Sequence, residues 1–345
     1  MLTKLLLMSK KVTIYDIAKR LNVTPATVSY ALNNVSKVSE SLRKTILDTA
    51  REMGYSRDYT ALSLSTGKTY LMVLFLPFED IANALLENPF YGEFIGRFEQ
   101  QIKKKGYDLL LQPELSEKEL LPWLRGRGVD AIAILGTYPK HYRKALKVFG
   151  KPVVLVDVFD EYADEYNNVI ISDTDGCYTA TKYLIENGHH NIAFVAGDIH
   201  TSIVDQRRFD GYQRALNEFD LSSSNKVFIS EVSFDGGVKT ANQLLQQKDI
   251  TAVVCAADSR AIGIMNGDRN AGKNVPDDLS VIGFDDIQSA KMTYPPLTTI
   301  RQDIGAKAKT AAMLLLENIQ NHEIGSRTVE LPLELILRDS VNKRL

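Results

Sequence analysis

The apolar positions near the start of the chain recur with the spacing of a short amphipathic helix. They fall at i, i+3, i+4 and i+7, and they are Ile14, Ile17, Ala18 and Leu21. Residues with this spacing share one face of a helix. Thr13 stands where an N-cap residue is needed, and Asp16 takes the acidic position of a capping box. The pattern therefore predicts a helix from Ile14 to Leu21.

Two further helices are predicted after a short turn. Thr24 is a second N-cap, and Pro25 takes the first helical position, where its missing N–H has no cost. The helix from Pro25 to Leu32 turns three apolar residues inward and presents an outward face of Ala26, Thr27, Ser29 and Tyr30. A third helix runs from the cap Ser39 to about Met53. Together these segments predict a helix-turn-helix, whose second helix is small and polar enough to enter a major groove about 12 Å wide.

From residue 71 onward, short apolar runs alternate with amphipathic helices such as Tyr91–Lys105. This alternation is typical of α/β domains with doubly wound parallel sheets. Two sets of about five strands predict two such lobes, with a ligand cleft at the carboxyl ends of the strands. The strands predicted individually are Leu71–Leu76, Asp108–Leu111, Ala131–Leu135, Val153–Val156, Val169–Ile171, Ile192–Ala196, Val227–Ser230, Ala252–Ala256 and Ser280–Phe284.

Charge is distributed unevenly along the 345 residues. Residues 1–68 carry 11 Lys/Arg and 5 Asp/Glu, whereas the remainder carries 30 Lys/Arg and 38 Asp/Glu. A small basic domain joined to a larger acidic body indicates that the first part contacts phosphates.

The two cysteines, Cys177 and Cys255, have no metal-ligand spacing and suit reduced, buried thiols in the cytoplasm. No apolar run is long enough to span a membrane, and the apolar start from Met1 to Met8 lacks the features of a signal peptide.

Enzymatic chemistry has no support in the sequence. The glycine pattern from Gly126 to Ala131 resembles a dinucleotide fingerprint, but it precedes a strand instead of following one. The adjacent His189 and His190 lack the i, i+4 spacing of a metal pair, and no phosphate loop or nucleophile elbow is present. We therefore expect no catalytic residue, no metal and no cofactor.

Several ordered motifs resemble the lac repressor (LacI/GalR) family over nearly the whole chain. They include VTIYDIAKRLNVTPATVSYALN, VSESLRKTILDTAREMGY and ALSLSTGKT near the start, then GHHNIAFVAG, RRFDGYQRAL, NVPDDLSVIGFDD and YPPLTTIRQD. The resemblance implies a helix-turn-helix head at residues 10–57, a hinge helix and linker at 58–69, and a type I periplasmic-binding-protein-like body at 70–345. Within that body it implies three crossings between the lobes. Lobe one is then about 70–172 and 303–328, and lobe two is about 173–302 and 329–345.

The resemblance also implies which head residues contact DNA. The matching phosphate or base contacts are Thr13, Ile14, Tyr15, Thr24, Thr27, Ser29 and Asn33. The hinge helix matches residues 58 to about 66, and Leu64 matches a leucine that wedges into a minor-groove step and kinks the duplex. The base preference of other family members does not transfer to this chain. Tyr30 stands where many relatives have a base-reading Arg, and Pro25 and Ala26 stand in place of larger side chains. In the hinge, Arg57 and Leu62 replace a common Pro and Arg.

Six residues are candidates for binding an effector in the cleft. By the family pattern and their places after strands they are Phe90, Tyr91, Asp157, Arg208, Phe234 and Asp285. Each also has a structural alternative, as a helix-capping Asp, a surface Arg or a core aromatic. Two carboxylates and an Arg among aromatics suit a neutral polyol, whose hydroxyls both donate and accept. Ala257 departs from the family, since sugar-responsive relatives often have Asn there.

These features predict a DNA-binding regulator that represses a sugar-utilisation operon and responds to a sugar-like effector. The expected partners are operator DNA, the effector and a second copy of the chain, with no membrane. A dimer is expected because the sequence has no C-terminal leucine heptad. The alternatives are a periplasmic-type sugar-binding protein, which would lack the basic head, and a corepressor-dependent regulator of another pathway. An α/β enzyme is a further alternative, and it would require a phosphate loop.

Overall fold

The computed structural model describes residues 12–32, 35–56, 63, 67–136, 140–222, 226–321 and 325–344. The chain divides into two compact units after Thr69. Two predicted DNA contacts, Asn33 and Leu64, lie outside the described residues, as does the predicted hinge helix apart from residue 63.

Within the described residues 12–32 and 35–56 of the first unit, three helices surround a small apolar core. The helices are α1 (Ile14–Leu21), α2 (Pro25–Leu32) and α3 (Glu40–Glu52), within one residue of their predicted bounds. The predicted capping box is present, because the backbone N and the hydroxyl of Thr13 donate to Asp16 Oδ2 at 2.8 and 2.7 Å. Ile17, Val28 and Ile46 are fully buried between the helices. Their burial confirms the predicted helix-turn-helix core.

The second unit contains two six-stranded sheets, and the first sheet forms lobe one. Its strands are all parallel and lie in the order β11-β5-β4-β3-β1-β2. Apolar layers cover both faces of the sheet. The strands are β1 (Leu71–Leu76), β2 (Asp108–Pro113), β3 (Ala131–Leu135), β4 (Val153–Val156), β5 (Asn167–Ile171) and β11 (Thr328–Leu331), and the helices are α4 (Ile81–Glu87), α5 (Pro89–Lys103), α6 (Glu117–Arg127), α7 (Tyr142–Phe149) and α12 (Ile304–Gln320).

The second sheet forms lobe two, in the order β12-β10-β9-β8-β6-β7. Its edge strand β12 is antiparallel to β10, and the other pairs are parallel. The strands are β6 (Ile192–Ala196), β7 (Val227–Ile229), β8 (Ala252–Cys255), β9 (Ser280–Asp285), β10 (Thr298–Gln302) and β12 (Leu333–Ile336), and the helices are α8 (Asp173–Glu186), α9 (Ile203–Glu218), α10 (Phe234–Leu244) and α11 (Asp258–Asn270).

Three strands were not predicted individually, namely β10, β11 and β12. Their short segments interleave charged residues such as Arg301, Glu330 and Glu334 with apolar ones, which weakens the apolar signal of a buried strand.

The lobe boundary predicted between residues 328 and 329 is wrong. All of β11 pairs with β5 in lobe one, so the third crossing falls at Pro332, between β11 and β12.

No helix among the described residues is long and apolar enough to cross a membrane.

Candidate functional site

The outward face of α2 is the candidate DNA-binding surface. Val28 and Ala31 are buried on the opposite face, whereas Ala26 is exposed and Tyr30 is 37% exposed. Thr24 caps the helix, because Thr27 N donates to its Oγ1 at 3.1 Å. The other predicted contacts that the structure describes are partly or fully exposed, namely Thr13, Ile14, Tyr15, Thr24, Pro25, Thr27 and Ser29. This helix can therefore present small side chains and one aromatic ring to a groove.

A lysine accompanies the aromatic ring of α2. Lys37 Nζ lies 5.3 Å from the centre of the Tyr30 ring. A cation over a ring face is attracted by the ring's negative charge distribution. Lys37 is itself exposed, so this pair places a positive charge beside the predicted base-reading residue.

A cavity of about 640 Å³ lies between the two lobes of the second unit. Lobe one contributes the segments that follow β3 and β4 and the start of α5, and lobe two contributes the start of α9, the segment that follows β8 and the end of β9. These segments stand at carboxyl ends of parallel strands, where ligands of doubly wound sheets bind. Five of the six predicted effector residues are among its lining, namely Phe90, Tyr91, Asp157, Arg208 and Asp285.

Arg208 is the central cation of the lobe-two wall, and it is buried. Its Nε donates to Asp173 Oδ1 at 2.8 Å, its Nη1 donates to the carbonyl of Ala256 at 2.5 Å, and its Nη2 lies 3.7 Å from Asp285 Oδ1. The guanidinium also packs 3.7 Å from the centre of the Phe284 ring. Burial opposes the charge, but the carboxylates of Asp173 and Asp285 outweigh it and hold the pKa of Arg208 above its usual value.

Asp285 ends β9 in a backbone conformation that most residues avoid. Its φ is 113°, and Asp157, directly after β4, has a φ of 55°. Strained backbone of this kind is common at ligand sites, where it aims a side chain. Burial raises the pKa of Asp285 to about 6, although Arg208 and Gln302 oppose the rise. Gln302 Nε2 donates to Asp285 Oδ1 at 2.6 Å.

Lys307 was not predicted from the sequence, although this fully buried lysine organises the lobe-one wall. Its Nζ donates to both oxygens of Asp157 at 2.8 and 2.6 Å and to Gln302 Oε1 at 2.5 Å. Through Gln302 and Asp285, this chain of hydrogen bonds joins lobe one to lobe two. A signal was present in the sequence: Lys307 stands three residues after Ile304, among the buried positions of α12.

Aromatic residues also line the cavity. Phe90 and Tyr91 come from lobe one, as does Phe159, which sequence analysis did not identify. Burial, assisted by the charges of Asp285 and Asp205, raises the pKa of Tyr91 to about 12, so its hydroxyl keeps its proton and can donate to a ligand. Aromatic rings and a hydroxyl donor suit a polar ligand that also has an apolar face, such as a sugar.

Phe234 does not take its predicted place. It is 40% exposed at the first position of α10 and is not among the described residues that line the cavity. Ser233 caps α10 by accepting a bond from Gly236 N at 2.9 Å, so the helix begins at Phe234 and carries the ring away. Val232 lines the cavity instead. Ala257 lines it as well and offers only a methyl group.

Both units match known protein families. A model of bacterial regulatory proteins of the lacI family matches residues 13–58, and a model of a periplasmic binding protein-like domain matches residues 181–341. The transcriptional repressor PurR of Mannheimia succiniciproducens is 31% identical over 342 residues, which cover 96% of this chain and 99% of that protein. This chain belongs to the LacI family.

Other members of the LacI family agree with this assignment. Catabolite control protein A of Priestia megaterium is 33% identical over 340 residues, 95% of this chain and 99% of that protein. The crystal structure of a LacI family transcriptional regulator from Enterococcus faecium with bound ribose has a TM-score of 0.71 and 28% identity, and covers 80% of this chain and 100% of that one. The chain is thus a DNA-binding transcriptional regulator, and the predicted fold class is confirmed.

Among the described residues, no group of three or more His, Cys, Asp or Glu side chains is arranged to hold a metal ion. Cys177 and Cys255 are both buried and free, and burial raises the pKa of each thiol above its usual value. Because a thiol must lose its proton to react or to bind metal, these two side chains act as apolar core residues.

Proposed function

We propose that this LacI-family chain is a homodimeric repressor of a sugar-utilisation operon, and that a neutral sugar bound between its lobes controls its affinity for operator DNA. The observation that carries the sugar assignment is the cavity wall. Its buried charged groups already have ionic partners, Arg208 with Asp173 and Asp157 with Lys307, and aromatic rings line the same cavity. The ribose-bound relative supports the same class of ligand.

Paired charges favour hydroxyls over ions as ligands. Arg208 and Asp157 already have ionic partners, so a charged ligand would have to compete with them. A sugar hydroxyl accepts from a guanidinium and donates to a carboxylate without disturbing the balance of charge. Ring faces such as those of Phe90 and Tyr91 can cover the apolar face of a sugar.

The lobe arrangement supports coupling between sugar and operator. The main chain crosses between the lobes three times, so the lobes can open or close about this region. A sugar that contacts both lobes stabilises one of these states over the other. The affinity for operator DNA then changes, because the DNA binds one of the two states more tightly. We propose an inducer, which favours the state with lower operator affinity.

Two measurements test this proposal. A thermal-shift screen of neutral sugars, acidic sugars and phosphosugars against the purified protein should show stabilisation by a neutral sugar. A gel shift with the promoter upstream of the chain's own gene should show binding that this sugar weakens. Stabilisation by phosphosugars alone would contradict the sugar class. A sugar that strengthens operator binding would make it a corepressor, and absence of operator binding would contradict the regulatory assignment.

A further inference from the structure

A contact between an arginine and an aromatic ring joins the two lobes beside the cavity. The guanidinium of Arg207, in α9 of lobe two, lies over the ring of Phe159, which follows β4 in lobe one. Arg207 Cζ is 4.2 Å from the centre of the ring, and both side chains are half-buried. Phe159 also lines the cavity, whereas Arg207 is not among the described lining residues. A change at Arg207 can therefore affect the lobes without removing part of the cavity wall.

Each partner is anchored to its own lobe. Beside Phe159, the carbonyl of Val158 accepts a hydrogen bond of 2.6 Å from Nδ2 of Asn168, a buried residue of β5. The carbonyl of Arg207 accepts a hydrogen bond of 3.1 Å from Thr174 Oγ1 in the first turn of α8. Because both backbones are fixed in this way, the distance between ring and guanidinium depends on how the lobes are placed relative to each other.

The contact is strong enough to influence that placement. Arg207 Nε is buried and has no hydrogen-bond partner among the described residues, so water does not solvate this part of the guanidinium. A cation over a ring face shifts an equilibrium by about two- to thirtyfold, and the larger factors belong to pairs shielded from water. Effectors of regulatory proteins shift equilibria by factors of similar size.

The contact is also adjacent to residues that line the cavity. Arg208 directly follows Arg207, and Asp157 lies two residues before Phe159. A sugar held between Asp157 and Arg208 therefore acts on the same two segments that form the contact. Because the cavity in this arrangement is lined from both lobes, a sugar inside it contacts both and stabilises this arrangement.

We propose that the contact of Arg207 with Phe159 is a latch that stabilises the sugar-binding arrangement of the lobes. Arg207 is a positioning residue, which acts through Phe159 and does not touch the sugar. This inference rests on the proposed sugar-controlled function. Without the latch, the sugar-binding arrangement is less populated, so sugar binds more weakly. Operator DNA, which prefers the other arrangement when the sugar is an inducer, then binds more tightly.

Arg207→Met removes the guanidinium but keeps an unbranched side chain, and it tests the latch in the full-length protein. Calorimetry with ribose, glucose, galactose and cellobiose measures sugar affinity, and gel shifts without sugar on the promoter upstream of the chain's own gene measure operator affinity. Sugar affinity should fall and operator affinity should rise. For two lobe arrangements, the two fold-changes should multiply to about two- to thirtyfold, whichever arrangement prevails in the free protein.

Arg214→Met is the matched control. Arg214 lies on the same helix and its Cζ is 4.1 Å from the centre of the Tyr178 ring, so it makes the same kind of contact within lobe two alone. This variant should keep wild-type affinities. In a Phe159→Leu background, Arg207→Met should change neither affinity further, because the ring through which it acts is gone. Phe159→Leu alone carries the operator test if Arg207→Met does not fold by circular dichroism.

The outcomes separate the latch from the proposed function. The latch is wrong if Arg207→Met leaves both affinities within about twofold of wild type, or if its effects are undiminished in the Phe159→Leu background. If both affinities fall and the Phe159→Leu background removes the effect, the latch is supported and the sugar is a corepressor instead of an inducer. If none of the four sugars binds, a rise in operator affinity still supports the latch and an unchanged operator affinity overturns it.

Discussion

At the scale of single residues, Arg208 connects the ligand site to the fold of lobe two. It donates hydrogen bonds to Asp173 in the first turn of α8 and to a carbonyl after β8, and it stands 3.7 Å from Asp285 at the end of β9. Three segments of the lobe therefore meet at one guanidinium. A ligand oxygen that contacts this group is held by the same side chain that orders the end of the sheet.

Arg208→Ala is expected to abolish the sugar response. Loss of its charge-assisted hydrogen bonds should cost roughly 1.5–3 kcal/mol of sugar binding, which is about a ten- to hundredfold rise in the dissociation constant. Calorimetry measures the affinity, and gel shifts with and without sugar measure the response. Arg214→Ala, on the exposed side of the same helix, is the control. Unchanged sugar affinity in Arg208→Ala would exclude this residue from the site.

The raised pKa of Asp285 predicts that sugar binding depends on pH. Its carboxyl has a pKa of about 6, so it is largely protonated at pH 5 and ionised at pH 7. Because the ionised form accepts hydroxyl hydrogen bonds more strongly, sugar affinity should rise between these values. Calorimetry from pH 5 to 7.5 should show this rise in the wild type and a flatter profile in Asp285→Asn. A flat wild-type profile would contradict the assignment.

The Asp285 carboxyl also affects the free energy of unfolding, but with a pH dependence opposite to that of sugar affinity. An acid whose pKa is raised by folding binds its proton more tightly in the folded state. Its contribution to stability is present below its unfolded value and is lost as the pH rises through about 6. Without sugar, the protein should therefore lose stability between pH 5 and pH 7, whereas the stabilisation added by the sugar should increase because its affinity rises, and thermal melts with and without sugar at both pH values measure the two effects.

The residues that sequence analysis found and missed differ in a physical way. Asp157 and Asp285 follow buried strands, so topology alone directs them to the cleft. Lys307 lies inside α12, and its role depends on a partner far away in the chain, because 150 residues separate it from Asp157. A local pattern marks a charged residue as exposed, and only the folded arrangement reveals that it is buried and paired.

At the scale of elements, the recognition helix α2 is defined by its own sequence. A cap, a first-turn proline and three apolar positions predict it within a residue, because these signals act locally. The edge strands β11 and β12 carry no such signal. Each is held by pairing with a strand distant in sequence, so its place becomes visible only in the assembled sheet.

Tyr30→Ala is expected to change the base preference of α2 at one position in each half-site. Tyr30 lies on the outward face of this helix, where a side chain that enters the groove contacts base edges. Selection from randomised operators measures the preference. Tyr15→Ala is the comparison. Tyr15 is exposed on α1 and is expected to contact the DNA backbone, so its loss should weaken binding to all sequences alike. If Tyr30→Ala keeps the base preference of the wild type, a residue other than Tyr30 reads that base.

At the scale of the whole molecule, the division of charge predicts a strong effect of salt on operator binding. Two basic heads that neutralise several phosphates release the counterions of the DNA, so the log-log slope of affinity against salt should be on the order of −5 to −10. Binding curves between low and physiological salt measure it. Sugar affinity of the same protein serves as the control and should hardly change. A slope near zero for DNA would contradict the role of the basic head.

The crossings between the lobes also influence how the chain matures on the ribosome. Lobe two lies mostly in one continuous stretch, from α8 to β10, and lacks only its edge strand β12. Lobe one begins earlier but needs α12 to complete its core and to supply the Lys307 counterion of Asp157. The lobe that is translated first therefore still lacks a core helix when the other lobe lacks only an edge strand. Chains released after residue 302 should show protease resistance in the later lobe and cleavage in the earlier one.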